Sequence, residues 1–162
     1  MILDEIVSSS QRRAADLPGS FHSSTHIPVS LKDAILKGRT THTRPIIAEL
    51  KFASPSRGII RPVKNPVEMA TDMVQGGCCA LSVLTEPEFF SGCPTTIQAI
   101  RDQVTVPILR KDFIVQEHQL DETRALGADA VLLITGILGE ETGYFVDEAI
   151  KRGLEPLLEV HT

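Results

Sequence analysis

Five short apolar runs, near residues 46–51, 79–84, 106–111, 129–134 and 155–160, alternate with four stretches of helical patterning. The helical stretches run from Pro66 to Gly76, Thr95 to Gln103, Gln116 to Leu126 and Glu140 to Arg152. Gly127 and Gly153 stand just past two of them, the usual C-terminal stop. Run starts lie roughly 23 to 33 residues apart, the length of a strand, a helix and two short loops. A strand shielded on both faces reads as a continuous apolar run, so this alternation predicts an α/β fold with a parallel sheet covered by helices.

Doubly wound and barrel arrangements both satisfy that pattern, and the polar residues separate them. Glu49 and Lys51, Glu86, Lys111 and Asp112, Thr135, and Glu159 and His161 fall at or just beyond the C-terminal ends of the runs. A (β/α)8 TIM barrel gathers its chemistry there. No Gly-x-Gly-x-x-Gly opens the first helix, which counts against a dinucleotide fold. Residues 1–44 precede the repeat and form a helical extension. An amphipathic helix is expected over residues 2–17, acidic at its start and basic at its end. A second, capped by Ser30, is expected to run through Leu36 and stop at Gly38. Residues 45–162 then hold the first five βα units of a barrel.

The net charge of -5 argues against nucleic acid or an anionic membrane as the main partner. A phosphorylated small molecule stays compatible, because a local basic cluster can oppose the overall sign. No run approaches the ~20 apolar residues of a membrane span, and the N-terminus lacks a signal-peptide pattern, so a cytoplasmic protein is expected. Cys78, Cys79 and Cys93 lack metal-type spacing and read as structural thiols. No metal site is expected from the spacing of these cysteines.

Along Ile46-Ile47-Ala48-Glu49-Leu50-Lys51, alternation places Ile47, Glu49 and Lys51 on one face. Two charges on a buried strand are costly unless something requires them. Lys111 shares a face with Leu109, and Glu159 with Leu157 and His161. The competing readings are a surface lysine in an ordinary loop and a salt-bridged structural carboxylate. Convergence of Lys51, Lys111, Glu49 and Glu159 on one opening favours general acid–base chemistry. Ser54, Ser56 and Arg57 add donors for an anionic or hydroxylated ligand. Phe89, Phe90 and Phe113 offer flat apolar surface for an aromatic ring, or simple packing.

Several segments together resemble the indole-3-glycerol phosphate synthase family. They are Ile46–Lys51 with Ser54-Pro55-Ser56-Arg57-Gly58, Leu81–Glu86 with Phe89-Phe90-Ser91-Gly92, Pro107–Phe113, Gly127–Ile134 and Leu158–Thr162. The order and spacing are family-like, and Cys93 stands where the family usually has Ser. The resemblance implies a (β/α)8 barrel of tryptophan biosynthesis. It would convert 1-(2-carboxyphenylamino)-1-deoxyribulose 5-phosphate to indole-3-glycerol phosphate by ring closure, loss of CO2 and dehydration, without cofactor or metal. By matching position, Lys111 would be the general acid at the ribulose carbonyl. Lys51 would pair with the anthranilate carboxylate and could also donate a proton in the dehydration, and Glu159 would act as base or stabilise positive charge developing on the amine. Glu49 would be a second carboxylate, with base and orienting roles both open. Phe89 and Phe113 would flank the aromatic ring, and Ser56 would line the substrate loop.

The sequence reaches Thr162 directly after the fifth run, whereas such a barrel takes ~250 residues. The expectation is a portion of a longer barrel, lacking the later strands and the phosphate-gripping loops and so weak or inactive alone. The alternative is a non-catalytic half-barrel that associates with another chain through open strand edges.

Overall fold

The computed structural model describes residues 2–40, 44–60 and 65–161. Thr162, the last residue of the fifth motif, and residues 41–43, where the extension meets the repeat, lie outside them. Elements are numbered in chain order: α1 (Ile2–Ala15), α2 (Leu31–Thr40), β1 (Ile47–Leu50), β2 (Ala53–Ser54), β3 (Gly58–Ile59), α3 (Pro66–Gln75) and β4 (Ala80–Leu84). There follow α4 (Pro87–Phe90), α5 (Thr95–Arg101), β5 (Ile108–Lys111), α6 (His118–Ala125), β6 (Ala130–Ile134), α7 (Thr135–Leu138), a 3-10 turn (Gly139–Glu141), α8 (Thr142–Lys151) and β7 (Glu155–Glu159).

Strands β1, β4, β5, β6 and β7 form one parallel sheet in that spatial order, so each strand lies beside the next main strand in the chain. Sequential parallel neighbours joined through helices are the arrangement of a barrel wall, here with five strands. The five strands fall within the five apolar runs, and α3, α5, α6 and α8 fall within the four helical stretches. Gly127 and Gly153 adopt positive φ of 86° and 74° just past α6 and α8, where a Cβ would be strained.

Alternation along the strands builds two different layers. On the helix side, Leu50, Leu81, Val83 and Ile108 pack with Ala70 of α3 and Ile97 and Ile100 of α5. Val131 and Leu133 meet Leu120 of α6 and Phe145 and Ala149 of α8. Each large side chain buried in this way contributes about 1.5–3 kcal/mol. On the other side, Ala80, Leu109, Ala130 and Leu132 cluster with Leu31, and Ile35 packs against them, so α2 covers part of that face.

One expectation needs correction, and two features add to the sequence reading. Helix α2 does not stop at Gly38 but continues to Thr40. Gly38 serves close packing instead, since a Cβ there would lie 3.1 Å from the Pro45 Cβ. The Ser-Pro-Ser-Arg-Gly stretch is more than a turn: β2 and β3 pair antiparallel around it, with Ser54 opposite Gly58. Finally, α4 and α7 are single helical turns at strand ends, too short for periodicity to reveal.

Polar residues tie the layers together. Asp129 is buried and accepts from the Val29 and Ile108 amides and from Arg101, and its carboxylate lies 2.7 Å from the His26 ring. It thereby joins the extension to the start of β5. At the other end of β5, Arg110 is fully buried and pairs with Asp112 at 3.1 Å and Glu122 at 2.7 Å. Asp112 also accepts from Arg13 of α1 at 2.9 Å and from Thr85 at 2.6 Å. Burial alone would raise the Asp112 carboxyl, but the Arg110 and Arg13 charges, with hydrogen bonds from Arg13 and Thr85, outweigh it and hold it at about 2.

A depressed carboxyl contributes stability above its unfolded value, and that contribution is lost as pH falls toward the folded value. Asp112→Asn is therefore expected to cost about 3–5 kcal/mol at neutral pH, because it strands the Arg110 guanidinium in the interior. Urea unfolding from pH 7 down to pH 2 checks this. The wild-type advantage should shrink progressively below about pH 4.

Candidate active site

The parallel register sets the distance between the first and third strands of the sheet. Glu49 of β1 stands beside Ser82 of β4, and Ser82 beside Leu109 of β5. Lys111 lies two residues beyond Leu109 on the same face and reaches back across β4. Its Nζ donates to Glu49 Oε2 at 2.9 Å, and Ser82 Oγ donates to the same oxygen at 3.2 Å. Both charged side chains are about one third exposed, so the pair is half-desolvated rather than sealed. Adjacent strands lie ~4.8 Å apart, and only a long side chain can span two such intervals.

Glu159 ends β7 and lines the same open cavity, of about 370 Å³, as Glu49, Ser82 and Lys111, above a floor that includes Leu109 and Leu132. Its Oε1 lies 2.8 Å from His161 Nε2, while Thr135 Oγ1 donates to its backbone carbonyl at 3.0 Å. Glu49, Lys111 and Glu159 therefore face one concavity, and an ammonium with two carboxylates around it can donate and accept protons there.

Lys51 is placed differently. It lies beyond the end of β1 with its Nζ 5.6 Å from the centroid of the Phe90 ring. Phe90 in turn packs against Phe113, with centroids 5.9 Å apart and planes inclined by 32°. Lys51, Phe90 and Phe113 thus make a second patch at the strand ends, and a cation over an aromatic face is a favourable pairing. Phe89 is half-buried in the same turn as Phe90, and it is Phe90 that meets Phe113. In the β2–β3 hairpin Ser54 is buried with its Oγ 3.5 Å from Ser56 Oγ, and Ser56 and Arg57 are exposed.

Two residues grouped with the strand-end charges play other parts. Glu86 is completely buried, and its carboxylate accepts from the backbone amides of Glu88, Phe89 and Phe90. It caps α4, with Pro87 opening the first turn. Gly92 closes the same turn against the strand, where a Cβ would lie 2.5 Å from the Leu84 carbonyl oxygen. Asp112 turns to the helix side, into the Arg110–Arg13 cluster. Ser82 is the contact that the sequence does not single out, and of the three phenylalanines read as flat apolar surface it is Phe90 and Phe113 that meet. An acid before a proline at a strand end is the signal that could have revealed α4, and with it the orientation of Phe90.

Among the described residues no cluster of His, Cys, Asp and Glu is placed to hold a metal ion, and no helix is long and apolar enough to cross a membrane. Cys78 and Cys79 are half-buried thiols, and Cys93 is exposed with its Sγ 3.1 Å from Thr95 Oγ1.

A family model described as indole-3-glycerol phosphate synthase matches residues 3–162. Curated relatives of the same name include a protein of Halobacterium salinarum, 42% identical over 99% of this chain and 61% of its own length. One from Geobacillus kaustophilus is 48% identical over 72% of this chain and 45% of its own length. The chain thus spans about half to three fifths of the relatives it matches. Among solved structures, a mandelate racemase/muconate lactonizing protein from Paracoccus denitrificans is similar at TM-score 0.53 and 15% identity, over 97% of this chain and 43% of that one. That likeness concerns the fold alone. With five parallel strands in sequential order and a family model matched over nearly every residue, the chain belongs to the indole-3-glycerol phosphate synthase family of (β/α)8 barrels.

Proposed function

We propose that this chain carries the acid–base centre of an indole-3-glycerol phosphate synthase. The reaction closes the indole ring of 1-(2-carboxyphenylamino)-1-deoxyribulose 5-phosphate with release of CO2 and water. The observation that supports this most directly is the Lys111–Glu49 pair sharing one concavity with Glu159.

Lys111 donates a proton to the ribulose carbonyl oxygen as the aromatic carbon attacks. Glu49 orients it: with one oxygen shared between Ser82 and Lys111, this carboxylate is held for positioning. Loss of CO2 from the attacking carbon restores the aromatic ring, and Glu159 accepts the proton given up by the neighbouring methylene as the new hydroxyl leaves as water. Lys51 pairs with the anthranilate carboxylate beside the aromatic patch, and Phe113 with Phe90 forms the wall against which the benzene ring lies. Phe89 supports the same turn. Ser54, Ser56 and Arg57 supply donors from the hairpin for the hydroxylated, phosphorylated portion of the substrate.

A second reading, association through strand edges, is favoured by one observation. The outer strand β7 leaves Leu157 and Leu158 41% and 46% exposed, and Val160 just past it 69%. Apolar residues exposed along an outer strand invite pairing with another copy. Sedimentation analysis discriminates, since a monomer of 17.7 kDa across the micromolar range excludes this reading.

The catalytic proposal is tested by turnover of the carboxyphenylamino-deoxyribulose phosphate. The chain is assayed alone and joined to the segment that follows the matched region in the Halobacterium salinarum relative. Turnover is expected in the joined form. Lys111→Ala should lower kcat by about 10²–10⁴-fold, the usual worth of a positioned general acid. Glu49→Gln should lower kcat by about 10²-fold through misplacement of the lysine, with a smaller effect on KM. Full turnover by the Lys111→Ala protein would overturn the assignment.

A further inference from the structure

The segment between α1 and α2 crosses the outside of the helix layer, away from the concavity. Its ends are well fixed. At the near end, Ser10 of α1 donates to the Phe113 carbonyl and Arg13 pairs with Asp112. At the far end, Arg124 donates to the His26 carbonyl at 2.7 Å, and the His26 ring and the Val29 amide both bind Asp129. Between these anchors, residues 19–24 border an open groove of about 470 Å³ whose opposite wall includes His118, Asp121 and Arg152.

His118 is the contact at the middle of this span. Its Nε2 faces the Pro18 carbonyl oxygen and its Nδ1 lies 3.2 Å from Asp121 Oδ2, while its ring packs on Phe21 at 5.0 Å between centroids. Both ring nitrogens thus face oxygens that only accept. A neutral imidazole carries one N–H and can satisfy one of them; an imidazolium carries two and satisfies both. We propose that His118 is a proton-operated latch: as the imidazolium it holds the Pro18 carbonyl and Asp121 together and ties the Pro18–Ser24 stretch to α6, and as the neutral ring it can hold only one of the two at a time, which loosens that stretch.

The surrounding charges agree with the cationic form. Asp121 faces the ring from α6. Arg152, at the end of α8, opposes the extra charge but is itself bound by Asp121, Glu117 and Glu148. Arg124 and His22 border the same groove. The Pro18 carbonyl first, then the hydrogen bond to Asp121, raise the titration of His118 above its ordinary value, against slight burial and the repulsion of Arg152. A raised value means that the latch is fully engaged below the unfolded value near 6.5 and is lost as pH rises through the folded one. For every pH unit separating latched from unlatched titration, the closed-to-open ratio changes about tenfold.

The test uses the chain itself and does not depend on turnover. NMR titration follows the His118 ring, with a short unstructured peptide of residues 114–122 as the reference. Chymotrypsin then reports opening through the Phe21–His22 bond, compared at each pH between wild type and His118→Gln so that the pH response of the protease cancels. The expected results are a His118 titration above that of the peptide, and faster cleavage of the variant at pH 6. That excess should fall toward equality as pH passes the His118 titration. Titration at or below the peptide value, or a cleavage ratio equal at pH 6 and pH 9, would overturn the latch. The titration needs no variant, so it stands even if the substitution disturbs folding.

Discussion

A strand that must place one amine on its open face and two further charges behind it is constrained at every residue. In β5 and the residue after it, Lys111 points to the concavity while Arg110 and Asp112 point into the helix layer. The buried pair between those two, extended by Glu122, Thr85 and Arg13, fixes the end of the strand. Isolated charges in such a place would be prohibitively costly, and each is tolerated because its partners are buried with it. The position of Lys111 follows from that arrangement, and so does its reach to Glu49. The concavity depends on polar groups that do not line it.

The N-terminal extension belongs to the same mechanical unit. Arg13 and Ser10 hold the residues that follow Lys111, and Asp129 receives the extension again at the opposite end of β5. Helix α2 lies against the inner apolar cluster through Leu31 and Ile35. An arm that looks peripheral in the sequence therefore braces one strand at both ends and covers part of the open face of the sheet.

Much of this could be read from the chain because burial imposes periodicity. The five apolar runs located the strands, and glycines past the helices located their ends, since both signals arise from local backbone and solvent constraints. The open-face placement of Glu49, Lys111 and Glu159 follows from alternation alone. What alternation could not supply was any contact decided by a residue beyond a strand end. Lys51 leaves β1 before its direction is set by the sheet, and it turns to Phe90. Glu86 sits where a barrel places functional acids, yet its carboxylate is spent on three backbone amides. Phe89 and Phe90 are neighbours of identical composition, and only the capped turn decides which one meets Phe113. Gly38 resembled a helix stop because a glycine required by a close neighbour looks the same in sequence as one required by a turn.

Opposite faces in β5 carry incompatible chemistry, and this limits how the gene can change. An inserted or deleted codon inside Ile108–Lys111 would exchange the two sides of the strand beyond it, since side chains repeat every second residue. The ammonium would enter the helix layer and a guanidinium would emerge on the open face, with its carboxylate partners left behind. Substitutions here can be graded, but a change of length cannot. Drift in length is left to the connections, such as the exposed residues at the tip of the β2–β3 hairpin.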